Sequence, residues 1–168
     1  LFFSSATDLY GLHLLEALGC TIHKLSSANL TNAPLLHAVG VTGKPVIIST
    51  GGATLAEVLI AYERLIDAGA GGVAVLKCTA LYPCSPEHAN LLAIGTLRAA
   101  LPCPVGYSDH TLGLTAAIGA VALGATLLEK HFTLDKAAEG HDHHFSADPD
   151  ELATLVAGVR EFEAMRGS

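Results

Sequence analysis

Two short stretches of this chain carry residue pairs suited to chemistry. Ser108 and His110 close "VGYSDH", and Glu129 and His131 close "LLEKHF". Residues two apart on a strand share a face, so each pair presents its side chains on one side. On neighbouring strands, two imidazoles and a carboxylate would converge at one rim. Neutral imidazole ligates Zn, Mn, Fe and related ions, and this set could form an open metal site. The competing account makes each histidine an ordinary hydrogen-bonded strand-end residue. Downstream, "TLDKAAEGHDHHFS" adds His141, His143 and His144 with Asp135, Glu139 and Asp142. That loop reads either as solvated or as part of a metal or substrate site.

Lys24 is the other conspicuous group. It is the one strand-end cation whose parity points it inward, where an amine holds phosphate or carboxylate, or forms a Schiff base. A lysine snorkelling to the rim is the alternative. Ser5, Ser27, Ser49 and Ser108 also stand at strand ends, placed either to ring an anion or to cap helices. The four cysteines have no C-x-x-C spacing and read as small, reduced, buried hydrophobes. His13, His23, His37 and His88 read as surface.

Such residues need a scaffold. Apolar β-like runs at 1–5, 21–27, 44–50, 71–79, 103–110 and 125–132 alternate with helical segments at 8–18, 32–40, 54–68, 87–100, 113–123 and 148–165. Alternation of this kind predicts parallel strands with helical crossovers. Gly19, Gly43, Gly71 and Gly124 follow helical stretches as C-caps. Thr54 and Asp148 are expected N-caps, each with an acid three residues on. Six βα units suggest most of a (β/α)8 TIM-type barrel or a doubly wound sheet. In both, ligands bind at the C-terminal strand edge, where these polar residues gather. "STGGATLAE" lacks the G-x-G-x-x-G spacing and the P-loop lysine, and fits an anion near a helix N-terminus rather than a nucleotide.

Composition agrees. Of 168 residues, 51% are hydrophobic and 15% charged, as expected of strands hidden on both faces. A net charge of −7 argues against nucleic acid as a partner. No apolar run approaches the roughly 20 residues of a membrane span. No leader is read at the start, and a cytoplasmic setting is expected.

The blocks "IHKLSSANLTNAPLL", "KPVIISTGGATLAEV", "LKCTALYPCSP", "GYSDHTLG" and "EKHFTLDK", in this order, resemble the N-acetylneuraminate (sialic acid) synthases and their legionaminate and pseudaminate relatives. The resemblance covers essentially the whole chain. It implies a TIM barrel that condenses phosphoenolpyruvate with an open-chain N-acetylated hexosamine of the N-acetylmannosamine type. The products are a nine-carbon 2-keto sugar acid and phosphate. By motif match it implies a Mn or Mg ion between His110 and His131. It implies anion binding by Lys24 with Ser5, Ser27, Ser49 and Ser108, a sugar contact at Tyr82, and acids at Glu129 and Asp142. It also implies that residues 1–168 correspond to the third to eighth strands of the barrel. The first two βα units and a C-terminal antifreeze-like domain would lie outside them, and the full-length form would be a homodimer. Ala80 stands where the family carries Asn or Ser. Two rival readings are an inactive metal- or sugar-phosphate-binding fragment and a class II-type metal aldolase.

Overall fold

A computed structural model describes residues 1–166. Its strands are β1 (His23–Leu25), β2 (Pro45–Ser49), β3 (Gly72–Cys78), β4 (Val105–Asp109) and β5 (Leu128–Lys130). The helices are α1 (Leu9–Ala17), α2 (Ala33–Val41), α3 (Leu55–Asp67), α4 (Ala93–Ala100), α5 (Thr115–Ala122) and α6 (Pro149–Arg166). The strands pair in chain order, β1-β2-β3-β4-β5, and every pairing is parallel.

The sheet is curled. Four spacings of about 4.8 Å would put β1 and β5 roughly 19 Å apart if it were flat. Yet Lys24 of β1 and Glu129 of β5 bring Nζ and Oε2 within 3.5 Å. The architecture is an incomplete TIM-type barrel, α/β in class.

Strand parity sorts the core. Leu25, Val46, Ile48, Val73, Val75, Val105 and Tyr107 point outward and are buried beneath Leu35, Leu36, Val39, Leu65, Ile94, Leu97 and Ala120 of the helices. The other parity faces the barrel interior and ends in polar groups. Helix starts are fixed by local chemistry. Thr54 and Glu57 form a reciprocal capping box on α3. Asp148 and Glu151 exchange the same pair of bonds at α6.

The structure corrects four expectations. The stretch 1–5 is not a strand; only Ser5 bridges Lys24. Six strands therefore become five and one bridge, because Leu1 and Phe2 are exposed and nothing pairs with them among the described residues. Helix α4 begins at Ala93 rather than 87, since a 3-10 turn at Pro86–His88 and a left-handed Asn90 (φ 43°) precede it. The left-handed residue after α3 is Gly69 (φ 105°), not Gly71. Gly71 is needed for another reason: a Cβ there would overlap the Gly43 carbonyl oxygen. Finally, His23 is completely buried, and its Nε2 lies 2.7 Å from Glu16 Oε1.

Helices α2 and α3 pack tightly at Gly40, where a Cβ would stand 2.5 Å from Ala68 Cβ and 2.9 Å from the Leu65 carbonyl oxygen. Gly40→Val is expected to destabilise the protein by about 1–3 kcal/mol through overpacking. Urea denaturation checks this; an unchanged midpoint would show that the two helices can separate freely.

Candidate functional site

Nine of the ten residues singled out from the sequence line one cleft of about 200 Å³ at the C-terminal strand edge. They are Ser5, Lys24, Ser27, Ser49, Tyr82, Ser108, His110, Glu129 and His131. Register explains the gathering: Cys78 pairs with Ser108, Ser108 with Glu129, and Ser5 bridges Lys24. The tenth, Asp142, sits in the following loop, with Oδ2 3.5 Å from His131 Nδ1.

One side of the cleft is cationic and rich in hydroxyls. Lys24 Nζ donates to Ser49 Oγ at 2.8 Å and to the Leu25 carbonyl at 3.3 Å. Glu129 Oε2 lies 3.5 Å from the same amine, and Ser108 Oγ donates to Glu129 Oε1 at 2.6 Å. Glu129 is thus held between an ammonium and a hydroxyl. Ser27 has a second duty: its Oγ accepts from Gly51 N at 2.8 Å and ties the loop after β2 to the rim.

The other side is imidazole. His110 Nδ1 is 2.8 Å from the Thr79 carbonyl oxygen, which can only accept, so Nδ1 carries the proton and Nε2 keeps a free lone pair. That Nε2 lies 3.5 Å from Ser108 Oγ. Burial pushes the His110 imidazole below its usual pKa, against the Thr79 hydrogen bond that favours the charged form. The shift favours the neutral ring, the form in which an imidazole ligates a metal. The His110 and His131 ring centroids stand 5.3 Å apart at 68°. Tyr82 lies over His110 at 4.0 Å, and Phe145 flanks His131 at 5.0 Å.

Among the described residues, no group of three or more His, Cys, Asp or Glu side chains is arranged to hold a metal. Two imidazoles facing one cleft, that of His110 with an anchored tautomer, still suit a divalent ion. A carbonyl behind one ring nitrogen is the usual support for a ligating histidine. Any ion bound there would complete its shell with water or substrate oxygens.

The loop from Thr133 to Ser146 is pinned at its neck. Ala147 N donates to the His131 carbonyl at 2.8 Å, and Thr133 N donates to the Ala147 carbonyl at 2.9 Å. His143 Nδ1 is spent on Thr133 Oγ1 at 2.7 Å, while His141 and His144 line no part of the cleft. Two further lining residues, Ser26 and Cys78, stand at strand ends in the sequence but were assigned no role in the site. Cys78 has the parity of Ser49 and Ser108, a signal overridden by its apolar character. Its Sγ lies 3.9 Å from His110 Nδ1.

Fold and cleft together define a barrel-type α/β protein with a polar cleft at the C-terminal strand edge. The chain belongs to the NeuB family, whose model matches residues 1–168. An uncharacterized protein of Methanocaldococcus jannaschii is 45% identical over 100% of this chain and 50% of its own length. The N,N'-diacetyllegionaminic acid synthase of Campylobacter jejuni is 41% identical over 99% of this chain and 50% of its own. Among solved structures, the N-acetylneuraminic acid (sialic acid) synthetase of Leptospira borgpetersenii, in complex with citrate, superposes with a TM-score of 0.96 at 36% identity. That match covers 100% of this chain and 59% of the other. The chain spans about half the length of the curated relatives it matches. No described helix is long and apolar enough to cross a membrane.

Proposed function

We propose that this chain forms the reactive rim of a synthase that joins phosphoenolpyruvate to an open-chain N-acetylated amino sugar of the N-acetylmannosamine type. A 2-keto sugar acid and inorganic phosphate result. The single observation that carries this reading is the meeting of an amine-and-hydroxyl pocket with an imidazole pair in one cleft. The pocket suits a small anion, and the pair suits a divalent ion beside it. Family membership and the sugar-acid synthases among the relatives support it.

In this proposal His110 and His131 hold Mn or Mg, which supplies Lewis-acid polarisation of the sugar's aldehyde oxygen. Lys24, with Ser5, Ser27, Ser49 and Ser108, binds the phosphate or carboxylate of phosphoenolpyruvate through charge-assisted hydrogen bonds. An entering anion competes with Glu129 for the Lys24 amine. As C3 of phosphoenolpyruvate bonds to the aldehyde carbon, water adds at C2; Glu129, released from that contact, can take the proton of that water, the aldehyde oxygen gains a proton, and phosphate leaves from C2. Tyr82 and Asp142 flank the histidines and orient the sugar. The family resemblance, rather than the chemistry, adds to this proposal a cytoplasmic setting and a homodimeric full-length form.

The test is a phosphate-release assay on the full natural chain with phosphoenolpyruvate, Mn and N-acetylmannosamine. Sugar-dependent phosphate release at roughly 1 per second or faster is expected, as for ordinary enzymes. Cleavage of a sugar phosphate without phosphate release would instead make the protein a metal aldolase. No turnover on either substrate set, with Mn still bound, would mark an inactive binding domain.

A further inference from the structure

We propose that Asp109 and Lys130, behind the cleft on the helix-facing side of the sheet, are a positioning pair that sets the separation of His110 and His131. The inference rests on the reading that those two imidazoles share a divalent ion. Neither residue reaches the cleft, and neither was singled out by the sequence.

The contacts are specific. Lys130 Nζ donates to Asp109 Oδ2 at 2.8 Å and to the Thr111 carbonyl at 2.9 Å. Asp109 Oδ1 accepts from Thr111 N at 2.9 Å and from Thr111 Oγ1 at 2.8 Å. The Lys130 side chain is 6% exposed and that of Asp109 0%, so the pair is shielded from salt and water. The β4–β5 register ends with Asp109 opposite Lys130. His110 and His131 are the next residues on each strand, just past the last paired position. The ladder itself therefore does not fix their spacing; the side-chain pair continues the tie where the ladder stops.

His110 is already anchored on the β3 side. Its ring bonds to the Thr79 carbonyl, and its own carbonyl accepts from Cys84 N at 2.8 Å. The Asp109–Lys130 pair supplies the matching anchor on the β5 side. Two imidazole nitrogens that share one ion with bonds near 2.1 Å stand only about 3 Å apart. A slip of 1 Å between strand ends would cost one of those bonds. An apolar pair packs as well but slides. A buried ion pair is often no more stabilising than well-packed apolar residues, so stability alone gives little reason for its presence here.

The experiment uses the full natural chain, with Mn alone as the probe. Mn affinity is read from the electron paramagnetic resonance of the free ion, well below each variant's thermal midpoint. Lys130→Met strands a buried carboxylate and should lower both midpoint and Mn affinity. The double variant Asp109→Leu/Lys130→Met is expected to regain most of the midpoint yet bind Mn at least about tenfold more weakly, within the range for groups behind a ligand. Lys130→Arg keeps the charge pair and should hold affinity within about threefold. A double variant with restored midpoint and parental Mn affinity overturns the proposal, because the pair is then structural only. Should the double variant not fold, Thr111→Val replaces it. That change removes one hydrogen bond to Asp109 with both charges kept, and unchanged Mn affinity would likewise overturn the proposal. Parent protein that binds no Mn, or binds it equally after His110→Ala, defeats the two-histidine reading itself and this inference with it.

Discussion

His110→Ala and His131→Ala are each expected to weaken Mn binding by more than about a hundredfold, beyond the range found for groups that merely support a ligand. Both rings face one cleft with their centroids 5.3 Å apart. The Thr79 carbonyl leaves His110 Nε2 with its lone pair, and no third His, Cys, Asp or Glu among the described residues completes a metal group to compensate. Removing either ring halves the imidazole donor set. His88→Ala is the control: its ring bonds Ser85 Oγ on the surface and lines no part of the site cleft. Calorimetry or resonance titration with Mn provides the measurement. Parental affinity in both single variants would end the metal assignment.

Lys24→Met is expected to lower phosphoenolpyruvate affinity at least tenfold, about 1.4 kcal/mol, and turnover by more. Among the described residues the amine is the one Lys or Arg cation lining the cleft, and it lies between Ser49, Glu129 and the Leu25 carbonyl. Its loss leaves a carboxylate facing an incoming anion. Arginine is not expected to rescue, since a planar fork does not fit a site shaped around a compact ammonium. Ser49 Oγ also loses a partner in the variant, which costs about 1–3 kcal/mol of stability where no water replaces it. Affinity is therefore compared at temperatures where both proteins are folded. Equal affinity of Lys24→Met and parent protein would return Lys24 to a rim lysine with no ligand.

Much of this arrangement was legible in the sequence because its causes are local. Alternating apolar runs located β2, β3 and β4 to within two residues at each end. Thr54 and Asp148 announced their helices because a capping box is written within four positions. Parity alone placed Ser108 beside His110 and Glu129 beside His131. What stayed hidden depends on partners distant in the chain. The run 1–5 has β-like composition, yet a strand needs a neighbour, and only Ser5 finds one. His23 read as surface because its burial is decided by Glu16 of the preceding helix and by the α-layer above it. Asp109 and Lys130 were overlooked because charged residues of outward parity suggest solvent, and only the helix layer reveals that they are enclosed. Asn90 could not be seen to break α4, since its left-handed backbone leaves no mark in the apolar pattern.

The pairing of strands in chain order bears on how the molecule folds. His23 meets Val46, Pro45 meets Gly72, Val75 meets Val105, and Tyr107 meets Leu128. Each pairing closes a loop of about 20–30 residues, and closure entropy rises only slowly with loop length. No strand waits for a distant one, so the sheet can grow by successive βα units from either end or from the middle. Contact order is low for a parallel sheet, which favours fast folding. The contact between Lys24 and Glu129 is the exception, for it joins the first strand to the last and forms only after the sheet has curled. Near-neighbour pairing can thus build the helix-backed sheet, whereas the Lys24–Glu129 contact across the cleft requires the two ends of the sheet to have met.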